Sequence, residues 1–141
     1  MIKKQLLTVM ALLFLTISCS SDDDPRDNYP QNKDITFSVT SSDNNRLSTI
    51  EYTINGEGIN IFESSYSESH LPKTKNHLSL SIPYSTNLEI YYKDNSGGEI
   101  GIPFNPYTIV LKIKVDSQVV AEKEAIINES GTVEYLDFMF N

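Results

Sequence analysis

The chain has 141 residues, 39% of them apolar, with one Cys and no Trp, and 11 Lys plus Arg stand against 19 Asp plus Glu. That length suits one small globular unit, and a single Cys excludes an intramolecular disulfide. A net charge of −8 argues against nucleic acid or anionic lipid held by charge attraction, because such footprints are basic.

Lys3 and Lys4 precede an apolar run from Leu6 to Ile17, broken only by Thr8 and Thr16, and Ser18-Cys19 and a polar stretch follow. As a helix this run covers about 18 Å, well short of the roughly 30 Å hydrocarbon core, so it does not read as a membrane span. The order of basic, apolar and small residues is that of a secretory signal, and residues 1–18 are expected to be removed. Losing Lys3 and Lys4 takes the charge from −8 to −10.

Leu15-Thr16-Ile17-Ser18-Cys19 resembles the lipobox of bacterial lipoproteins, with Thr16 where that pattern usually carries Leu and Leu15 one place off. The resemblance implies that Cys19 takes a diacylglyceryl group and further acylation of the palmitate kind, then becomes the first residue of the mature chain. One acyl chain, at about 0.8 kcal/mol per buried CH₂, binds a membrane marginally, whereas two or three hold firmly. Ser20-Ser21-Asp22-Asp23-Asp24 resembles the acidic export signal of surface lipoproteins in the Bacteroidetes, which implies a place on the outer face of the outer membrane. Contiguous carboxylates without alternating ligands and a turn Gly do not make a calcium loop. From Ser20 to Asp34 there are two prolines, five acids and one aromatic, Tyr29. Burial cannot offset ordering entropy in such a stretch. Residues 19–34 therefore read as a lipidated Cys and an acidic, flexible tether that reaches up to about 50 Å.

Residues 35–141 alternate apolar and polar positions with period two, the pattern of half-buried strands. Ile35, Phe37 and Val39 make the first strand, and Ile50, Tyr52 and Ile54 the second. Asn55-Gly56 is a hairpin dipeptide, and Glu57-Gly58 extends the loop before Ile59 and Ile61. Residues 63–77, with His70, Pro72 and His77, read as a long polar connection. Leu78, Leu80 and Ile82 then face inward, and Pro83 closes that strand. Leu88, Ile90 and Tyr92 follow, ending at Asp94-Asn95-Ser96-Gly97-Gly98. Tyr107, Ile109, Leu111, Ile113 and Val115 form the clearest strand, with Lys112 and Lys114 outward and a turn at Asp116-Ser117. A plain two-residue turn there would bring Glu122 opposite Leu111, so a bulge or an early exit is needed to keep that carboxylate wet. Ala121 to Ile127 is the one stretch where a short helix competes. The last strand, Thr132 to Phe140, is apolar on both faces, which suits a central strand or one covered by another chain.

Seven or eight short strands separated by turn signals imply an all-β fold, an immunoglobulin-like Greek-key β-sandwich over residues 35–141, with a small β-barrel as the alternative. Phe37-Ser38-Val39-Thr40, Ile50-Glu51-Tyr52, Leu71-Pro72, Leu78-Ser79-Leu80 and Ile113-Lys114-Val115-Asp116 followed by Val119-Val120 look like the sandwich of the MmpS-type accessory proteins of mycobacterial lipid exporters. The chain departs from that family at Lys73 and Ser117 and in having no cysteine pair in the domain. The resemblance implies the fold more than an export role.

The chemical inventory is thin: two His seven residues apart in a polar stretch, no glycine-rich phosphate loop, no metal-spaced cluster and no nucleophile elbow. No catalytic residue, metal site or cofactor is assigned, and the chain is expected not to be an enzyme. Two functions remain. One is an accessory or interaction subunit of an envelope assembly, held to the membrane by its lipid and meeting a protein partner through an edge strand. The other is a surface module that stacks a glycan or peptide on aromatic side chains. Tyr91 is the best exposed candidate for that stacking, with Tyr84 and Phe104 near it in sequence.

Overall fold

The computed structural model describes residues 24–65, 70–97 and 100–141. Cys19, Ser20, Ser21, Asp22 and Asp23, together with the signal segment 1–18, lie outside the described residues. Among the described residues the chain is all-β. Its strands are Gln31–Ser41 (β1), Ser48–Gly56 (β2), Ile59–Ser64 (β3), Lys73–Ile82 (β4), Asn87–Asp94 (β5), Tyr107–Val115 (β6), Gln118–Ile127 (β7) and Val133–Met139 (β8). A 3₁₀ turn, Pro25–Asn28, precedes them, capped by the Asp24 carboxylate, which accepts from the Arg26 N–H.

Two four-stranded antiparallel sheets pack face to face, one in the order β4-β1-β6-β7 and the other β3-β2-β5-β8. The ladders do not join, so the fold is a layered sandwich and not a closed barrel. The β2–β3 and β6–β7 connections stay within a sheet, and every other connection crosses from one sheet to the other. Period-two burial accounts for the layering. Ile35, Phe37, Val39, Ile109, Leu111 and Ile113 from one sheet meet Ile50, Ile54, Leu88, Ile90 and Tyr92 from the other, all fully buried. Each such aliphatic or Phe side chain stabilises by about 1.5–3 kcal/mol. Phe37 stacks on Tyr52 across the layer at 5.3 Å.

Several elements depart from the sequence pattern, each for a local reason. β1 begins at Gln31, and Tyr29 packs against the core, so the last four residues assigned to the tether belong to the sheet. The hairpin turn is Glu57-Gly58, with Gly58 at φ 74°, not Asn55-Gly56. Gly56 is small for another reason: a Cβ there would run into the Thr86 side chain. β4 starts at Lys73, so the connection expected over 63–77 is half strand, and His77 lies in the sheet. Opposite Asp34 the register skips from Lys33↔Leu80 to Ile35↔His77, leaving Leu78 and Ser79 in a bulge. The bulge shifts parity, so Leu80 and Ile82 face the core while Leu78 is 74% exposed. Ser79 takes φ 52° and donates its N–H to Asp34 Oδ1.

Asp116 and Ser117 form the expected turn, both with positive φ. The bulge needed after it is present: the register moves from Lys114↔Val119 to Ile113↔Ala121. Glu122 thereby sits opposite Lys112 on the outer face, 3.0 Å from its Nζ. The stretch from Ala121 to Ile127 is strand throughout, and β8 is an edge strand rather than a central one.

A lysine–glutamate pair crosses each open side of the sandwich. Lys75 of β4 reaches Glu63 of β3 at 2.6 Å, and Lys123 of β7 reaches Glu134 of β8 at 2.7 Å and the Tyr135 carbonyl at 3.3 Å. Both lysines occupy core-side positions, opposite Phe37 and Leu111. Inward-pointing charge on an edge strand blocks pairing with a further strand.

Candidate functional site

The three aromatic residues singled out in the sequence are placed in three separate surroundings. Phe104, half-buried, adjoins a buried polar cluster at the end of the sandwich opposite the two described chain ends. β5 carries Asp94 at the same inward parity as Leu88, Ile90 and Tyr92, so its carboxylate enters the interior and is 1% exposed. The Tyr107 hydroxyl donates to Asp94 Oδ1 at 2.6 Å and lies 2.5 Å from the Tyr92 hydroxyl. With its proton directed at Asp94, Tyr107 accepts from Tyr92. The Ser96 hydroxyl and N–H also donate to Asp94. Burial, and then the bond to Asp94, push the Tyr107 phenol far above its ordinary range. Burial raises Tyr92 as well.

Both phenols therefore stay protonated and act as hydrogen-bond partners, not as acids. Arg46 lies over the rings of Phe104 (4.9 Å) and Tyr107 (5.1 Å) and is fixed by Asp43 Oδ2 and the Asn105 carbonyl. Arg46 thus bridges the Phe104 and Tyr107 rings, and Phe104 itself is half-buried. Its partners were legible in principle, because a Tyr at an inward strand position needs a polar partner for its hydroxyl.

Tyr91 points away from the core, as its parity requires, onto the outer face of β5. It pairs with Tyr135 of β8 at 5.3 Å and an interplanar angle of 62°, so the rings meet edge to face and do not form one flat platform. Glu51 flanks Tyr91 across the ladder, and Glu89 stands directly opposite Asp137. Partial burial raises the Tyr91 phenol, and Tyr135 and Glu51 add to the shift. The face joins the two tyrosines to three acids, Glu51, Glu89 and Asp137, with Lys93 as a base at its edge.

Tyr84 stands at the end where the described chain starts and finishes. It lines a cleft of about 710 Å³ with Arg26, Tyr29, Pro30, Glu57, Pro83 and Ser85. Tyr29 meets Tyr84 edge to face at 5.5 Å, and the Arg26 guanidinium lies 6.0 Å from the Tyr84 ring centre. The walls are tied to the sheet: the Tyr29 hydroxyl donates to the Asn141 carbonyl and the Ser85 N–H to that of Phe140. Nothing in the sequence pairs Tyr29 with Tyr84, which lie in distant segments brought together by the crossing connections.

Of the two histidines, His70 is exposed, and His77 sits edge-on to Phe37 at 6.1 Å. Its Nε2 has no hydrogen-bond partner and lies 3.9 Å from Glu63 Oε1, while the buried Tyr52 hydroxyl is also without one. Burial lowers the His77 pKa, outweighing Glu63, and raises that of Tyr52 to about 12. Among the described residues no three His, Cys, Asp or Glu side chains converge in a way that could hold a metal ion. No protein-family model matches the chain, and a search of curated proteins finds no match.

Proposed function

We propose that this chain is a lipid-anchored protein of the cell envelope, non-enzymatic, whose sandwich serves as the interaction subunit of an envelope assembly. The anchor is Cys19 within its lipobox-like setting, and the acidic run Ser20 to Asp24 directs the chain to the cell surface. The observation that carries the interaction role is the edge position of β8, which exposes Tyr135 (53%) and Met139 (49%) on its outer face. Large apolar groups exposed in one patch on a small monomer mark contact surfaces.

The neighbouring charge defines the partner. Like charges directly opposite in a ladder are unfavourable, yet Glu89 faces Asp137 and Glu51 adjoins Tyr91. A basic contact surface on the partner relieves that repulsion, and Tyr91 and Tyr135 supply faces for its Lys or Arg side chains. Lys123 occupies the Tyr135 carbonyl, so the contact is made through side chains rather than by adding a strand. The first described residue, Asp24, lies at the end of the sandwich that also holds Asn141, so a tether from Cys19 leaves the long sides accessible. The same reading takes the fold as an immunoglobulin-like Greek-key variant, supported by its length and its two face-to-face antiparallel sheets.

Two measurements test the proposal. Cys19→Ala is expected to release the protein in soluble form, and unchanged membrane retention refutes the anchor. From detergent-solubilised envelope the full chain is expected to bring down a stoichiometric basic partner that is lost in Tyr135→Ser/Met139→Ser. Recovery of no partner, or its retention by the double variant, refutes the interaction role.

A further inference from the structure

The cleft around Tyr84 has the features of a ligand site, and it stands apart from the β8 face. Its volume of about 710 Å³ falls within the roughly 300–1,000 Å³ of small-molecule sites. Three segments build it: the N-terminal turn (Arg26, Tyr29, Pro30), the β2–β3 hairpin tip (Glu57) and the β4–β5 turn (Pro83, Tyr84, Ser85). Ties from Tyr29 to Asn141, from Ser85 to Phe140 and from the Thr86 hydroxyl to Pro83 hold those segments in place.

The lining selects the ligand by elimination. An anion is disfavoured, because Arg26 already binds Asp24 Oδ1 through both its side chain and its N–H, because Glu57 lies on the same wall, and because the chain as a whole is negative. A cation is disfavoured because the Arg26 guanidinium, 6.0 Å from the Tyr84 ring centre, already stands at that ring. A flat heterocycle wants a parallel slot, whereas Tyr29 and Tyr84 stand at 73° and form a corner. What remains is a neutral ligand with an apolar C–H face for the corner and the two prolines, and a rim of hydroxyls for Arg26, Glu57 and Ser85. We propose that the cleft lined by Tyr29, Tyr84 and Arg26 binds a neutral saccharide through a pyranose ring. It does so whether or not the chain is lipid-anchored or has a protein partner.

The test is a ¹⁵N NMR titration of the purified full chain with three neutral probes, maltotetraose, cellotetraose and mannotetraose. Tetragalacturonate and chitotetraosamine serve as the anionic and cationic comparisons. At least one neutral probe is expected to bind at millimolar or better affinity and to shift the amides of Arg26, Tyr29, Glu57 and Ser85 ahead of those on β8. Removing an aromatic face is worth up to about tenfold, so Tyr84→Ala is expected to weaken binding by about that factor while Tyr91→Ala leaves it unchanged. Glu57→Ala, at an exposed hairpin tip, is expected to weaken binding several-fold and serves if Tyr84→Ala fails to fold. The proposal is overturned if no neutral probe shifts those amides, if a charged probe binds more tightly, or if Tyr91→Ala rather than the cleft variants abolishes binding.

Discussion

Replacing Tyr107 by Phe removes one oxygen from the interior and should cost far more than its size implies. The Tyr107 hydroxyl donates to a carboxylate that is 1% exposed, and it stands 2.5 Å from the hydroxyl of Tyr92. A hydrogen bond to a charged group contributes about 1.5–3 kcal/mol, and buried Asp94 keeps its Ser96 donors but loses this one. The phenyl ring keeps its packing against Phe104 and the cation above it, so the cavity term is near zero. The expected loss is about 2–3 kcal/mol, a large share of the roughly 5–15 kcal/mol that holds a domain folded. In urea unfolding the midpoint should fall with the slope unchanged, and the melting temperature should drop on the order of 10 °C. Tyr91→Phe, on the outer face, is the control and should stay within about 0.5 kcal/mol. In a double-mutant cycle Tyr92→Phe and Tyr107→Phe should couple by about 0.5–3 kcal/mol. A Tyr107→Phe loss below about 0.5 kcal/mol, or strict additivity with Tyr92→Phe, would refute the network as a stabilising unit.

Three further outcomes are expected. Gly56→Ala drives a methyl into Thr86, whose hydroxyl is already committed to the Pro83 carbonyl, and should cost about 1–3 kcal/mol by chemical denaturation. Leu78→Ser should change stability by no more than about 0.5 kcal/mol, whereas Ile82→Ala, four positions on and fully buried, should cost about 2–5 kcal/mol; equal losses would mean that the bulge opposite Asp34 is absent. His77 has a folded pKa below its ordinary 6.5 because burial disfavours its charged form. The unfolded chain therefore binds the proton more readily, so this contribution is fully present above about pH 6.5 and is lost as pH falls through the folded value. His77→Gln should flatten the fall in urea midpoint between about pH 7 and pH 5, and an unchanged slope rules out His77 as its source.

The layered all-β architecture was legible because its inward positions alternate with Ser, Thr, Lys and Glu over most strands, and one face buried against one face wet leaves little choice of register. The bulge after Asp116 was legible for the same reason, since Glu122 could not be placed opposite Leu111. The bulge at Leu78 was not: Leu78, Leu80 and Ile82 read as one clean alternation, and only the partner strand, with Asp34 accepting from the Ser79 N–H, breaks it. Asn55-Gly56 misled for a different reason, because Gly56 is demanded by close approach of Thr86 rather than by a turn. Tyr84, Tyr91 and Phe104 looked like neighbours because they are close in sequence. Strand parity and the crossing connections send them to a cleft, an outer face and a half-buried place beside Tyr107. The Tyr29–Tyr84 corner joins residues 55 positions apart and leaves no local signature.

The paired charges that span both flanks, Lys75 with Glu63 and Lys123 with Glu134, also govern how copies of the molecule behave when crowded together. Were two domains to dock flank to flank and extend their ladders, each would have to strip water from an ammonium group and a carboxylate. Fibril growth along that axis is closed off, and even densely packed copies can slide past one another while their aromatic faces stay available to something else.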